Sequence, residues 1–411
     1  MTRVVVIGGG AAGFFGAITC AATYRETQVT LLEAARTPLA KVRISGGGRC
    51  NVTHHCFDPL QLVQNYPRGG KALRGAFSRF QPQNTIAWFQ NHGVELKTEA
   101  DGRMFPVTDD SETIVNCLLQ AANQVGVKLR TAAQVKSIKK LDSRFEITLK
   151  TGEKLASEII LLATGSNPRG YHFAQSLGHN IVSPVPSLFT FNLADSRLHD
   201  LAGISVEKAH LRLLTPDKKA QKKLLQTGAL LITHWGISGP AVLKLSAWGA
   251  RILHEYQYQI PLEINWLPEY NWASLSDYFL AIKNQYPRRQ IVTNSPVNLP
   301  KRLWRNLVLQ TGISEQQRWA ELSKKMLNNL VQELIQGTYK IEGKGVFKEE
   351  FVTCGGVNLK EINFQTMSSK ICPGLYFAGE ILDIDGVTGG FNFQNAWTTG
   401  WLAGQAMGKD N

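Results

Sequence analysis

RVVVIGGGAAG, residues 3–13, joins a run of β-branched residues to a turn that is rich in glycine. An unbroken apolar run of this kind is typical of a strand buried in a parallel sheet. The small residues that follow, FFGAITCAAT, predict a helix, and Gln28–Leu32 predicts a second strand that leads into Glu33. The first 35 residues therefore predict a strand–helix–strand unit.

The spacing of the glycines predicts a dinucleotide-binding turn. Gly8, Gly10 and Gly13 form the pattern G-x-G-x-x-G, and Glu33 stands twenty residues after Gly13. Gly10 would let the backbone approach a pyrophosphate, which the helix N-terminus attracts. The Glu33 carboxylate suits ribose hydroxyls and repels a 2′-phosphate. A purely structural glycine turn is the alternative.

A second cluster, KVRISGGGRCN, covers residues 41–51. Its three successive glycines form a flexible backbone path beside Lys41, Arg43 and Arg49. Such a path suits a second approach to a pyrophosphate or to the edge of a flavin. A plain surface loop is the alternative.

A third cluster follows the strand-like run GLYFAG, residues 374–379. Glu380 stands at the end of this run, where it could bind a ribityl or ribose hydroxyl. Gly389 and Gly390 then open a helix whose N-terminus would favour the negative charge that collects at the pyrimidine edge of a reduced flavin. Motifs at both chain ends favour FAD over NAD, because a flavin dinucleotide is long enough to touch both. A glycine-capped structural helix is the alternative.

Composition limits the class of protein. The 411 residues include 45 Lys+Arg, 32 Asp+Glu and six Cys, with 43% hydrophobic residues. This length predicts more than one domain, and the composition excludes a disordered, collagen-like or disulfide-stapled chain. The cysteines form no C-x-x-C pair, so we expect free thiols in the cytoplasm. Glycines interrupt the apolar N-terminus, which argues against a signal peptide, and no run is long enough for a membrane span.

Several segments together resemble the BaiN/YhiN-like family of FAD-dependent oxidoreductases, over nearly the whole chain. They are GGGAAG, ISGGGRCNVTH, GRMFP, LLATGSNP, THWGISGPAVLKLS and FAGEILDIDGVTGGFNFQNAWTTG. The resemblance implies an α/β fold, in which a Rossmann-like FAD-binding domain of the two-dinucleotide type is interrupted by an insert with a small β-barrel and a helical subdomain. The expected domains are 1–190 and 341–411 for FAD binding and 191–340 for the insert, which is barrel-like over about 191–262 and helical over about 263–336.

The resemblance also implies which residues contact a non-covalent FAD. They are Gly8, Gly10, Ala12, Gly13, Glu33, Lys41, Gly47, Arg49, Asn51, Val135, Ala163, Gly165, Gly379, Glu380, Gly390, Asn392, Phe393 and Gln394. The same segments add Ala11, Cys50, Thr164, Asp385 and Gly389 as candidate cofactor residues. Many flavoproteins carry Asp where this chain has Glu380.

The expected function is FAD-dependent oxidation or reduction of an unidentified small molecule. No second G-x-G-x-x-G follows a strand, so NAD(P)H would dock transiently at the flavin, or the substrate itself would donate the electrons. Members of the family suggest reduction of an activated ring double bond or oxidation of a small amine. Candidate proton donors are Cys50, His54, Tyr171 and His234, none of them assigned as catalytic, and no metal site is expected. The oligomeric state is left open.

Two other functions remain open. Residues 191–340 hold 19 Lys+Arg against 11 Asp+Glu, which would suit RNA and an FAD-dependent RNA-modifying enzyme. The basic clusters are Lys218, Lys219, Lys222 and Lys223 in one segment, and Lys301, Arg302 and Arg305 around Trp304 in another. These clusters are equally typical of solvated helix faces, and no RNA-binding module is recognisable. A flavin-binding sensor or scaffold without turnover is the third possibility.

Overall fold

The computed structural model describes residues 2–217, 221, 224–345 and 352–408. The chain forms two compact units, Met1–Val185 with Val352–Asn411 and Pro186–Phe351. The domain boundaries expected from the sequence, at 190/191 and 340/341, stay predictions. The cluster of Lys218, Lys219, Lys222 and Lys223 lies outside the described residues. Among the residues that the structure describes, no helix is long and apolar enough to cross a membrane.

The first unit is built on a seven-stranded sheet with two small sheets and a short pair beside it. Its strands are β1 (Arg3–Ile7), β2 (Gln28–Leu32), β3 (Thr53–His54), β4 (Leu96–Thr98), β5 (Arg103–Pro106), β6 (Lys128–Arg130), β7 (Val135–Lys140), β8 (Phe145–Leu149), β9 (Lys154–Ser157), β10 (Ile159–Leu162), β11 (Ile181–Ser187), β19 (Val352–Val357), β20 (Ile362–Asn363), β21 (Ser368–Ser369) and β22 (Leu375–Phe377). The large sheet has the order β20-β21-β22-β10-β1-β2-β6. Its central neighbours β22, β10, β1, β2 and β6 run parallel.

The central strands confirm the prediction for the first 35 residues and for GLYFAG. β1 and β2 have the expected bounds, and β22 pairs with β10 in the middle of the sheet. All four residues of β10 are buried, because helices cover both faces of a parallel sheet. Strands from both ends of the chain therefore share one core.

The helices of this unit are α1 (Ala11–Thr23), α2 (Ala40–Gly48), α3 (Pro59–Leu62), α4 (Gly70–Phe77), α5 (Pro82–Asn91), α6 (Ser111–Gln124), α7 (Pro168–Ser176) and, at the C-terminal end, α13 (Phe391–Ala406). Glycines bring α13 very close to α1. A Cβ on Gly400 would lie 2.7 Å from the Ala12 carbonyl oxygen, and one on Gly404 would lie 2.7 Å from the Gly16 carbonyl oxygen. A larger residue at either position would therefore push the two helices apart.

The second unit contains a mainly antiparallel sheet and a helical layer. Its strands are β12 (Phe191–Asn192), β13 (Ser205–Leu213), β14 (Leu225–Thr233), β15 (Gly236–Ser238), β16 (Ile260–Asn265), β17 (Gly337–Ile341) and β18 (Gly343–Lys344), in the order β17-β16-β13-β14-β15-β12-β18. The edge strands β17 and β18 are separated along the chain by Glu342 alone, so the two edges of the sheet come together. The barrel-like part expected over about 191–262 stays a prediction, since β17 and β18 of this sheet lie beyond that range.

The helices of the second unit are α8 (Pro240–Trp248), α9 (Ala250–Glu255), α10 (Trp272–Gln285), α11 (Lys301–Gln310) and α12 (Lys324–Gln336). α8 begins where Ser238-Gly239-Pro240 predicts a helix start. Leu, Ile and Trp side chains from the helices and the sheet form one buried cluster. Next to it, Arg197 binds Asp195 at 2.6 Å and Glu333 at 3.0 Å, which neutralises a largely buried guanidinium.

An ion pair at the start of β1 gives the first unit a pH-dependent contribution to stability. Glu158 accepts hydrogen bonds from the Arg3 side chain at 2.5 Å and from the Arg3 backbone N–H at 2.8 Å. These bonds, led by the side-chain bond, outweigh the effect of burial and lower the pKa of Glu158 to about 2. The carboxylate therefore stabilises the fold above its ordinary pKa of 4.5, and this stabilisation is lost as the pH falls through about 2.

We predict that Glu158→Gln lowers the free energy of unfolding at pH 7 by at most about 1 kcal/mol, since exposure of the pair screens the charges. The difference between variant and parent should shrink between pH 5 and pH 3, as measured by urea unfolding. Glu146→Gln, which removes an exposed contact with Lys154, is the matched control. An equal difference at both pH values would contradict this role of Glu158.

Candidate functional site

The turn between β1 and α1 shows why each glycine of the motif stands where it does. Gly8 has φ 114°, and a Cβ there would lie 2.3 Å from the Ala163 carbonyl oxygen. A Cβ on Gly13 would lie 1.9 Å from the Gly8 carbonyl oxygen. Gly10 caps α1 with an ordinary φ of −93°, and a Cβ there would meet nothing within 4 Å. Gly8 and Gly13 are thus required by packing, whereas Gly10 leaves open space in front of the helix N-terminus.

The Glu33 carboxylate is held beside this turn by backbone donors. Its Oε2 accepts from the Gly9 N–H at 2.7 Å and its Oε1 accepts from the Ala35 N–H at 2.7 Å. Each carboxylate oxygen has two lone pairs. Each oxygen of Glu33 can therefore still accept one more hydrogen bond. The expected contact with a ribose remains a prediction, and the structure fixes the group that would make it.

The three glycines after Ser45 form a left-handed stretch of backbone. Gly46, Gly47 and Gly48 have φ of 59°, 69° and 86°. A Cβ on Gly46 would lie 2.9 Å from the Phe105 ring, but Gly47 and Gly48 face open space. Glycine is favoured at all three positions by φ alone, and the open side leaves Gly47 able to approach a ligand.

The two residues after this stretch, Arg49 and Cys50, interact with other parts of the protein. Arg49 binds Glu99 at 2.7 Å and lies over the Phe105 ring at 4.0 Å. Cys50 is fully buried, and burial raises the pKa of its thiol to about 12 despite a hydrogen bond with Ser45. Cys50 is therefore a packed thiol, and it does not supply a reactive thiolate.

The second and third motifs meet at the start of α13. With its amide oriented to satisfy both neighbours, Asn51 accepts from the Gly390 N–H at 3.0 Å and donates to the Thr53 carbonyl oxygen at 3.1 Å. His54 Nδ1 lies 3.0 Å from the Gly389 carbonyl oxygen. Segments more than 330 residues apart thus touch, as the prediction of FAD contacts at both chain ends requires.

A charged cluster lies where β10 and β22 end. Lys41 Nζ is 2.5 Å from Glu380 Oε2 and 3.3 Å from Ser166 Oγ. The other oxygen of Glu380 accepts from the Thr353 N–H at 3.1 Å. Two predicted cofactor residues, Lys41 and Glu380, therefore stand together and hold each other in place.

Three other predicted cofactor side chains are occupied by the protein. The carboxylate of Asp385 is completely buried and pairs with Arg68. Asn392 makes two hydrogen bonds with the Gly386 backbone. Gln394 accepts from Thr53 and Thr85 and donates to Thr398. These groups build the turn and helix that surround the site, and their contact with FAD stays a prediction.

The remaining predicted residues lie after β10 or β22, in α1 or α13, or, in the case of Val135, in β7 of a separate small sheet. Ala163, Thr164 and Gly165 follow β10, Gly379 follows β22 closely, and Ala11 and Ala12 begin α1. Val135 begins β7, and the Phe393 ring stacks on Trp397 with centroids 5.7 Å apart. Ser166, Thr353 and Arg68 were not predicted. Of these, only Ser166 could have been suspected from the sequence, because it lies within the quoted segment LLATGSNP.

Two buried polar atoms near this cluster, Thr164 Oγ1 and Tyr171 Oη, have no hydrogen-bond partner among the residues that the structure describes. Burial, reinforced by the charges of Glu380 and Asp383, raises the pKa of Tyr171. An unsatisfied buried hydroxyl is costly and usually has a ligand or water to meet. Together with the open space at Gly10 and Gly47, these atoms fit a large polar group such as FAD.

The four candidate proton donors are distributed over both units. His54 stacks on Phe391 with centroids 4.6 Å apart, at the junction of the motifs. His234 lies in the second unit and is exposed. Among the described residues, no group of His, Cys, Asp and Glu could hold a metal ion.

Comparison with known proteins gives the class. The family described as HI0933-like protein Rossmann domain matches residues 2–406, and the chain belongs to this family of FAD-dependent oxidoreductases. The chain is 30% identical over 421 positions to a ribosomal RNA dihydrouridine synthase of Escherichia coli (strain K12), with 98% of this chain and 97% of the relative covered. It is 28% identical over 417 positions to a 3-dehydro-bile acid delta(4,6)-reductase of Clostridium scindens, with 100% of both covered.

Solved structures of flavoenzymes share the fold. A flavocytochrome c3 fumarate reductase has a TM-score of 0.50 and 17% identity, covering 99% of this chain and 78% of that one. A 3-ketosteroid-delta4-(5alpha)-dehydrogenase from Rhodococcus jostii RHA1 has a TM-score of 0.50 and 15% identity, covering 98% and 97%. The predicted family and the Rossmann-like FAD fold are thereby confirmed.

We predict that Gly10→Val abolishes flavin retention without loss of the fold, because the added carbons enter open space in front of α1. The measurement is the flavin absorbance per chain after purification, with circular dichroism as the check on folding. Gly75→Val, at an exposed glycine of α4 that also meets nothing within 4 Å, is the matched control and should keep its flavin. Full flavin in Gly10→Val would refute the assignment of this turn.

We predict that Asp385→Asn destabilises the protein by about 3–5 kcal/mol, because it removes one charge of a buried ion pair. The loss should appear in urea unfolding of the flavin-free protein, where cofactor binding plays no part. Asp109→Asn, at an exposed ion pair with Arg49, is the matched control and should change stability far less, because solvent screens this pair. An unchanged stability of Asp385→Asn would contradict its structural role.

Proposed function

We propose that this protein is an FAD-dependent reductase that saturates a carbon–carbon double bond conjugated to a carbonyl group. One observation carries the proposal. The two relatives have different substrates, yet a dihydrouridine synthase and a delta(4,6)-reductase are both named for adding hydrogen across such a bond in a ring. Oxidation of a small amine has no such support.

The chain's own residues would divide the cofactor between them. The turn at Gly10 and the Glu33 carboxylate would hold the adenosine half, while Lys41, Glu380 and the N-terminus of α13 would hold the flavin half. FAD, when bound, would supply the hydride chemistry, and the protein would supply orientation, burial and charge. The reaction adds a hydride and a proton to the double bond.

The electron donor that we propose is NAD(P)H docking transiently. The support is the sequence, which has one dinucleotide-binding pattern and no redox cysteine pair. In this proposal FAD occupies that single pattern, so the nicotinamide of NAD(P)H would have to approach the flavin from solvent. A reducing compartment such as the cytoplasm fits six cysteines that form no disulfide among the described residues.

Two kinds of substrate would suit this reaction. The narrower candidate is a uracil ring within RNA, and the other is a small ring compound with a conjugated ketone. Two of the curated relatives, from Escherichia coli and Haemophilus influenzae, are named ribosomal RNA dihydrouridine synthases. The excess of positive charge over residues 191–340 would attract a polyanion.

One part of the RNA argument from sequence is wrong. Trp304 is 1% exposed, and its Nε1 donates to the Ile291 carbonyl oxygen at 2.9 Å, so it cannot stack on a base. Arg305 beside it pairs with Glu315. The aromatic residue of that basic cluster belongs to the core, because it lies on the apolar face of an amphipathic helix.

We predict that the flavin-loaded protein, with NADH or NADPH under anaerobic conditions, reduces an unsaturated ring ketone, uridine in unmodified RNA, or both. The measurements are bleaching of flavin absorbance, its return on addition of substrate, and a product heavier by two hydrogen atoms. The flavin-free Gly10→Val protein is the control and should give no product. Flavin that either donor reduces but that neither substrate reoxidises would contradict the proposal.

A further inference from the structure

A cavity of about 920 Å³ lies within the second unit. Its lining includes the turn that joins β14 and β15, with His234 and Trp235 at its tip, together with Asp200, Arg302 and Glu342. A volume of this size accommodates a small ligand. None of the residues predicted to contact FAD is among its lining residues in the described part of the chain.

Trp235 is the most unusual residue of this cavity. It is 73% exposed, more than any other large apolar side chain among the described residues. By contrast, three tryptophans in the core of this unit are almost fully buried. Trp266, Trp304 and Trp319 are each 1% exposed. An indole that is kept in water gains nothing from folding, and it offers a flat aromatic face on which a ring can stack.

The backbone under Trp235 is fixed. Thr233 pairs with Gly236 across the two-residue turn, and the Trp235 carbonyl oxygen accepts from the Leu193 N–H at 3.0 Å. Gly236 has φ 149°, and a Cβ there would lie 2.2 Å from the Phe191 carbonyl oxygen. The indole is therefore presented on a rigid support, which limits the entropy lost when a ring stacks on it.

The charges of the lining select against a phosphate. The lining holds three carboxylates, those of Asp195, Asp200 and Glu342, one guanidinium, that of Arg302, and the imidazoles of His199 and His234. Asp195 is paired with Arg197, and Asp200 Oδ2 lies 3.1 Å from His199 Nδ1, but the Asp200 side chain is 84% exposed and can accept further hydrogen bonds. Glu342 is exposed as well. Carboxylates accept hydrogen bonds only, so the ligand must offer N–H or O–H donors.

We propose that this cavity binds an unstacked nucleobase, with Trp235 as the stacking platform and Asp200 and Glu342 as acceptors for ring N–H and amino groups. Guanine, which carries adjacent N–H donors on one edge, fits these acceptors better than uracil does. In a bound strand, the cavity would thus hold a base other than the one that is reduced. Only the choice of RNA as the source rests on the proposed function, since a free nucleoside offers the same chemistry.

The experiment measures binding by the flavin-loaded protein, without turnover. The probes are guanosine, uridine, a fluorescent 12-nucleotide single-stranded RNA of mixed sequence, and the same strand built from abasic nucleotides. Stacking on an aromatic side chain contributes about 1–3 kcal/mol per base. Trp235→Ala should therefore weaken binding of the intact strand about 5-fold to 150-fold, and Trp235→Phe should retain most of the affinity.

Two comparisons make the result specific. Trp272→Ala removes an exposed tryptophan that does not line the cavity, and it should bind like the parent protein. Because no phosphate is neutralised by Trp235, the loss in Trp235→Ala should be equal at 50 and 200 mM salt. Guanosine that binds as tightly as the strand would make a free nucleoside the ligand; a strand that binds far more tightly would make it RNA.

Equal affinity of Trp235→Ala and the parent, or equal affinity for the intact and abasic strands, would overturn the proposal. Glu342→Gln should reduce the preference for guanosine over uridine, and an unchanged preference would overturn the role of that carboxylate. Reduction of ring ketones and of RNA is measured on the same preparations. Base binding without any turnover would contradict the proposed function alone, and turnover with no effect of Trp235 would contradict the cavity alone.

Discussion

The first unit depends on the close contact between α1 and α13. These two helices come from opposite ends of the chain, and glycines at Gly400 and Gly404 let α13 rest directly on the backbone of α1. That contact fixes Gly389 and Gly390 against Asn51 and His54, and so assembles three sequence motifs on one edge of the sheet. Without it, the glycine-rich turn after β1 would face no partner motif.

Electrostatics at this edge are arranged around fixed charges. Glu33 is held by two backbone N–H groups, and Glu380 is held by Lys41 and the Thr353 N–H. The dipoles of α1 and α13 add positive potential at their N-termini, which favours the phosphates and the reduced ring of a flavin. Fixed groups of this kind need little rearrangement when a ligand binds.

Much of this could be predicted from the sequence, because glycine patterns record steric necessity. Gly8 and Gly13 have no room for a Cβ, and Gly46 to Gly48 have positive φ, so the pattern of residues reflects the backbone directly. The side-chain partners could not be predicted. Nothing in the sequence shows that Arg68 pairs with Asp385, because the two are 317 residues apart.

The insert also shows which features cannot be predicted from the sequence. Charge counting places a basic, aromatic cluster around Trp304, but helical periodicity buries that tryptophan, whereas the turn between β14 and β15 leaves Trp235 exposed. Composition reports how much charge a segment carries, and only the fold decides which aromatic side chains reach solvent. The exposure of the Trp235 indole becomes visible only in the structure, where β14 pairs with β15.

One dinucleotide would span motifs from both ends of the chain. Mass spectrometry of the cofactor released from the purified protein, with its amount per chain, tests this directly. We expect FAD at about one per chain, since the turn at Gly10 and Glu33 would bind the adenosine half. FMN, or a nicotinamide dinucleotide in place of a flavin, would contradict it.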